Sequence, residues 1–321
     1  MKKTAAALGI TTVLALLGPL TGSAPSATAA EQETTIKPQR LPRGADVAVP
    51  HLVGRTVVDG DIRVRVRAER AHLLGPAGDG YVVDTVRNGK HRTVRVAPGS
   101  PPRTLMRGTH DQVLLSDDGA TLAVIQDLDR RAALDIRSAD DGSLLASRTF
   151  RTYPRLLDVD GDHVVVASFD RGAVDFNWRA GTRERITPMP AYAADLGSNR
   201  LAYFTSDPYD GGCSQVAPLH RPQRVLWRSC DERVAAFSPT GRRIITVHLL
   251  ADGIGPNQVW ERSDRGRLFG SYRVGSFFGS LSWESSTDLL LEAYGPRRGA
   301  VARCSEGECQ RASELSATPR Y

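Results

Sequence analysis

Phe237-Ser238-Pro239-Thr240-Gly241-Arg242-Arg243-Ile244-Ile245 reads as an apolar strand end, a tight polar turn and the start of a β-rich run. Short polar side chains cap such a turn, and glycine accepts the positive φ at which the chain reverses. The pattern recurs along the chain. Leu115-Ser116-Asp117-Asp118-Gly119 precedes Leu122-Ala123-Val124-Ile125, and Leu157-Asp158-Val159-Asp160-Gly161 precedes Val164-Val165-Val166. Leu196-Gly197-Ser198-Asn199 leads into Leu201-Ala202-Tyr203-Phe204. The outer copies are Leu74-Gly75-Pro76-Ala77-Gly78 before Tyr81-Val82-Val83, and Trp283-Glu284-Ser285-Ser286-Thr287 before Leu289-Leu290-Leu291. Aligned turns fall at 78, 119, 161, 198, 241 and 287, at intervals of 41, 42, 37, 43 and 46 residues.

A second turn follows each of these by 20 to 25 residues, at Gly99, Gly142, Gly181, the 221 region, Gly266 and Gly307. Each unit therefore reads strand A, turn, strand B, loop, strand C, turn, strand D. Apolar residues alternate or run in short blocks, and no segment carries a sustained helical stripe. A period near 40 residues built this way predicts an all-β protein, a β-propeller of four-stranded antiparallel blades. Six complete units favour six blades. Before them, Val57-Val58, Asp59-Gly60 and Ile62-Arg63-Val64-Arg65-Val66-Arg67 form a further hairpin, which either completes a seventh blade or packs on the ring. Its Val/Arg alternation predicts one buried and one wet face.

The units resemble the TolB/WD40-like propeller repeats of bacterial envelope proteins, whose pattern is an apolar residue, Ser-Pro-Asp-Gly, two polar residues and an apolar strand. The 237–245 stretch matches it apart from Thr240, and Leu115–Ala123 is the next best copy. The resemblance runs from Ala71 to Leu315 and implies architecture and an envelope setting, not an activity. The Gly-His and Trp-Asp dipeptides of eukaryotic WD40 repeats are absent.

The N-terminus reads as a signal peptide: Lys2 and Lys3, an apolar run from Ala5 to Leu20, then small residues with Ala27-Thr28-Ala29 as a cleavage signal. Cleavage near Ala29 or Ala30 would leave a soluble, extracytoplasmic chain. The expected organisation is signal peptide at 1–30, flexible leader at 31–45, propeller at 46–315 and tail at 316–321. The formal charge of +6 includes Lys2 and Lys3, so the mature part carries 6 − 2 = +4. Its basic residues are Arg apart from Lys37 and Lys90, scattered among Asp. That gives a solvated surface and, with export, argues against a nucleic-acid partner.

The four cysteines stand at 213, 230, 304 and 309. Cys304-Ser305-Glu306-Gly307-Glu308-Cys309 reads as a hairpin tip turning at Glu306-Gly307, with the cysteines facing each other across the strands. Cys213 and Cys230 are symmetric about His220-Arg221-Pro222-Gln223. The expected bridges are Cys213–Cys230 and Cys304–Cys309, worth about 3 and about 2 kcal/mol by loop closure.

Catalytic signatures are thin. The sequence has no Gly-x-Ser-x-Gly elbow, no phosphate loop and no metal-ligand histidine spacing, and no cofactor or metal is expected. Two loops between strands B and C are long: Ser206–Gly212 and Leu250–Asn257. A neighbouring one is Tyr294–Arg298. Long loops on a rigid scaffold carry function, so Asp207, Tyr209, Asp210, Asp252, Asn257, Arg297 and Arg298 are the candidate ligand-binding residues. The leading reading is a monomeric, non-enzymatic binding or scaffold module for an extracytoplasmic protein, glycan or envelope component. The alternative is a glycosidase- or lactonase-like propeller hydrolase. A glycosidase would need two carboxylates about 5–10 Å apart at the channel mouth, drawn from Asp207, Asp210 and Asp252.

Overall fold

The computed structural model describes residues 33–319 apart from positions 111 and 130. The signal-peptide reading lies outside these residues. Strands alternate with turns throughout, and the sheets follow one another along the chain. Among the described residues there are seven sheets, each a meander of consecutive antiparallel strands. Blade 1 spans residues 51–65, blade 2 70–107, blade 3 112–150 and blade 4 155–187. Blade 5 covers 191–229, blade 6 232–274 and blade 7 277–311.

The ring thus has seven blades, not the favoured six. The hairpin at 57–65 is the rest of blade 1, whose inner strand is the three-residue His51–Val53. Gly54, at φ +62°, reverses that strand into Thr56–Asp59. Blade 1 has three strands among the described residues, while blades 2 to 7 each have four in A–B–C–D order. A shortened unit with no second turn lacks the 40-residue period, so it escaped the count.

The repeated turns sit where the sequence places them. Gly78, Gly119, Gly161, Asn199 and Gly241 all take positive φ. The inner strand carries a bulge in five blades, between Leu73 and Gly75, Leu156 and Asp158, Ala191 and Ala193, Val234 and Ala236, and Phe278 and Leu281. Bulges there increase the local twist that a propeller blade needs.

Neighbouring blades hide each other's apolar faces. One buried cluster joins blades 1 and 2 through Val57, Val64, Tyr81 and Val83. Others join blades 2 and 3 through Val82 and Leu122, 3 and 4 through Ile125 and Val164, and 4 and 5 through Val165 and Leu201. Val216 and Ile244 join 5 and 6, and Tyr272 and Phe278 join 6 and 7.

The N-terminal segment, expected to be a flexible leader, is paired from Glu33 onward. Glu33–Ile36 adds to the outer strand of blade 6 in parallel, and Ile36 is buried in the blade 6–7 cluster. Residues 41–47 then cross the outer edge of blade 7. The amides of Gly44 and Val47 donate to the carbonyls of Arg311 and Ala312. Arg303 donates to the carbonyls of Ala45 and Asp46 and pairs with Glu284, which also accepts from the amide of Ala48. At the other end of the chain, Ser316–Ala317 pairs with Arg298 and Gly299.

Both bridges form, Cys213–Cys230 and Cys304–Cys309. Cys304 faces Cys309, with Ser305 opposite Glu308 and Glu306-Gly307 at positive φ, the turn read from the sequence.

Candidate functional site

An antiparallel meander fixes which connections share a face. The A–B and C–D turns lie at one end of every blade; the B–C loops and D–A connections lie at the other. The loop face is therefore built from residues 127–132, 168–172, 204–214, 248–258 and their counterparts.

In blade 5, Asp207 caps a single 3-10 turn, Pro208–Asp210, and its carboxylate accepts from the amide of Tyr209 at 2.9 Å. The amide of Gly212 closes the loop on the Asp207 carbonyl at 2.8 Å. A Cβ on Gly212 would stand 2.2 Å from the Ser206 carbonyl oxygen, so only glycine fits there. The next residue, Cys213, is bonded to Cys230 on the neighbouring strand, which staples the loop to its blade. From this loop the Tyr209 hydroxyl donates to Asp252 of blade 6 at 3.5 Å.

Asp207, Tyr209, Asp210 and Asp252 thus form one surface group, with Asp207 half-buried and the other three exposed. Asn257 stands at the far end of the blade 6 loop, where its carbonyl accepts from the Val274 amide at 3.0 Å. Arg297 and Arg298 stand on the next blade of the same loop face. They turn blade 7 from B to C and pair with the last strand, Arg298 opposite Ala317 and the Arg297 carbonyl accepting from the Thr318 amide.

The sequence reading named Tyr209 but missed the other apolar residues at the loop tips. Leu128, Phe169, Tyr209, Leu250 and Ile254 are 49%, 61%, 69%, 38% and 56% exposed. They stand on the B–C loops of four consecutive blades, 3 to 6. A lone exposed apolar side chain means little, whereas several gathered on one face mark a contact surface. The signal was present in the chain: Leu128-Asp129, Phe169-Asp170, Tyr209-Asp210 and Leu250-Ala251-Asp252 recur at 41, 40 and 41 residues. Attention to turn chemistry alone passed over it.

The central channel holds a second polar group at the opposite end. Asp117, Asp158 and Asp195 line a cavity of about 300 Å³ with Arg155 and Tyr192. Side chains here also tie the inner strands together. Gln112 accepts from the amide of Leu156 at 2.7 Å, Asp158 from that of Leu196 at 2.6 Å, and the Tyr192 hydroxyl from that of Val234 at 2.9 Å. Each bond crosses from one blade to the next, which makes the channel wall a structural seal. Burial pushes the Tyr192 hydroxyl up to about 12.

Burial, reinforced by the nearby Asp195 and Asp117 and opposed by hydrogen bonds from the amides of Leu196 and Val159, pushes the Asp158 carboxyl up to about 6. An acid raised in the folded state contributes its full stability below its unfolded value. That contribution is lost as the pH rises through the folded value. The window therefore runs from about pH 4 to about pH 6. Wild type minus Asp158→Asn, followed by urea unfolding, is expected to lose up to about 3 kcal/mol across that window. A flat difference would remove burial as the governing influence on this carboxyl.

Among the described residues no group of three or more His, Cys, Asp or Glu side chains is arranged to hold a metal ion. No described helix is long and apolar enough to cross a membrane.

No family model matches the chain, and no curated protein matches it in sequence. Solved structures do. The β-propeller domain of the Trilobed protease from Pyrococcus furiosus, described as having an open velcro topology, aligns with TM-score 0.59 and 10% identity. That alignment covers 84% of this chain and 98% of that one. Pyrococcus horikoshii acylaminoacyl peptidase aligns with TM-score 0.57 and 10% identity over 83% of this chain and 47% of that one, so this chain spans about half its length. The Myceliophteria thermophila Cps50 (Swd1) β-propeller domain aligns with TM-score 0.51 and 9% identity, covering 80% and 89%. At such identities the likeness establishes the class, a seven-bladed β-propeller, and nothing finer.

Proposed function

We propose that this propeller is a secreted, non-enzymatic binding module that docks a partner protein on its loop face. The observation that carries the reading is the set of apolar tips at Leu128, Phe169, Tyr209, Leu250 and Ile254, each loop also bearing an aspartate. Exposed aromatic and aliphatic anchors ringed by charge are how protein interfaces concentrate binding energy. The carboxylates Asp129, Asp170, Asp210 and Asp252 select a partner with apolar and basic side chains. The staple at Cys213–Cys230 holds the Tyr209 loop ready, which lowers the ordering cost of binding. Asp207 serves as a turn cap and Asp252 accepts from Tyr209, roles that suit a contact surface better than acid–base chemistry.

Two disulfides are compatible with an oxidising, extracytoplasmic setting. Residues 1–30 and the envelope-type repeats support the same placement. N-terminal sequencing of the exported protein should begin at Ala30 or Glu31.

Bait protein carrying Phe169→Ser and Tyr209→Ser should retain the wild-type fold. Its affinity for the protein that wild-type bait enriches from the extracytoplasmic fraction should fall by at least about thirtyfold, the effect of losing an interface anchor. Undiminished binding by that variant would exclude the loop face. Capture of glycan alone, with protein binding absent, would assign the face to carbohydrate instead.

A further inference from the structure

The two disulfides sit in opposite surroundings. Cys304 is fully buried in the apolar cluster between blades 6 and 7, and Cys309 packs half-buried against it. Cys213, the residue before strand Ser214–Ala217 of blade 5, is 4% exposed. Its partner Cys230 is exposed. It stands in the connection from Trp227–Ser229, the last strand of blade 5, to Glu232–Phe237, the first of blade 6. One end of this bridge therefore meets solvent and the other does not.

A cation lies at the hidden end. The Arg228 guanidinium donates to Cys213 Sγ at 3.4 Å. Among the described residues Arg228 forms no ion pair with a carboxylate.

The rate of thiol–disulfide exchange depends on which sulfur a thiolate can reach and on how well the departing thiolate is stabilised. At Cys213–Cys230 both influences select one direction. An attacker reaches Cys230, and the sulfur it expels is that of Cys213, beside a guanidinium that favours the new negative charge. At Cys304–Cys309 they conflict. The accessible residue there is Cys309, and attack on it would expel Cys304 as a thiolate into an apolar cluster, where an unpaired charge is costly.

We propose that Cys230 is a reactive site for low-molecular-weight thiols. The sulfur of the incoming thiolate bonds to Cys230 Sγ, the Cys213–Cys230 bond breaks, and its electron pair stays on Cys213 as a thiolate facing Arg228. The incoming thiol is oxidised to a mixed disulfide and Cys213 is reduced, with no other oxidant or reductant involved. The reaction needs no docked partner, so it stands apart from the loop-face reading above.

The test treats the folded, full mature chain with excess 2-mercaptoethanol, an uncharged thiol that the exposed Asp231 beside Cys230 does not repel. Samples are quenched with acid at short times, alkylated with N-ethylmaleimide and mapped by peptide mass spectrometry. The first product should carry the mercaptoethanol adduct on Cys230 and the maleimide on Cys213. Cys304–Cys309 should open at least about tenfold more slowly. Arg228→Gln, at an exposed position, should slow opening of the first bridge about threefold, the order expected when a leaving thiolate loses one nearby cation. Arg228→Lys should recover most of that rate. A merely structural Arg228 predicts the opposite sign, since a loosened bridge opens faster. A first adduct on Cys213, equal opening of the two bridges, or an Arg228→Gln bridge that opens as fast as wild type would each overturn the proposal.

Discussion

Replacing Glu261 by alanine is expected to cost about 3–5 kcal/mol, the usual loss when one partner of a buried ion pair is removed. Glu261 is fully buried between blades 6 and 7. Its carboxylate accepts from Arg243 at 2.5 Å, from the Tyr272 hydroxyl at 2.9 Å and from the amide of Glu306 at 3.0 Å. Tyr272 in turn accepts from the Gly307 amide at 3.0 Å and Arg243 pairs with Glu306 at 2.7 Å, so the hairpin tip closed by Cys304–Cys309 is seated on blade 6 around the Glu261 carboxylate. Burial and the adjacent Glu261 charge raise the Tyr272 hydroxyl far above the ordinary tyrosine value, so it stays a donor. Glu261→Ala takes the acceptor from the Tyr272 phenol and the Glu306 amide and leaves the Arg243 guanidinium only the exposed Glu306 carboxylate. Urea unfolding should show the loss, with Glu261→Gln recovering part of it through its remaining oxygen. A cost under about 1 kcal/mol would mean that these groups find water or other partners.

The second large effect concerns the N-terminal segment. Ile36→Ala should cost about 2–5 kcal/mol, as for other fully buried large aliphatic side chains. Removing residues 31–47 should cost more than that. The truncation also breaks the parallel pairing with Ser271–Val274 and uncovers Leu290. It further strips the carbonyls of Ala45 and Asp46 from Arg303. Among the described residues no buried apolar cluster joins blades 7 and 1, so this strap across the outer edges of blades 6 and 7 is a large share of what holds blade 7 in place. Truncated protein should unfold at lower urea and bind a hydrophobic dye before global unfolding. Truncation that left both readouts at wild type would show that the strap is decorative.

Much of this architecture was legible in the chain because turns are chemically conspicuous. Glycine at positive φ marks Gly78, Gly119, Gly161 and Gly241, and the spacing between them is the blade. The disulfides followed from hairpin symmetry. Blade 1 defeated the count because His51–Val53 is short and its sheet stops after three strands. The Val/Arg alternation of 62–67 nevertheless foretold its single apolar face: Val64 and Val66 are buried and Arg63 and Arg65 are not. The strap was illegible because a parallel outer strand at Glu33–Ile36 leaves no turn signal and pairs with residues more than 230 positions away. Loop length singled out the Tyr209 and Asp252 loops, which meet. It also grouped Arg297 and Arg298 with them, without foreseeing their pairing with the C-terminal strand, which has no motif of its own.

Hydrogen exchange on the complex with the captured partner tests the loop-face assignment most directly. Amides in 127–132, 168–172, 204–214 and 248–258 should gain protection, while the C–D turns at Gly142, Gly181 and Gly266 should exchange as in the free protein. Protection confined to those turns, or to the channel end at Asp117 and Asp195, would contradict it.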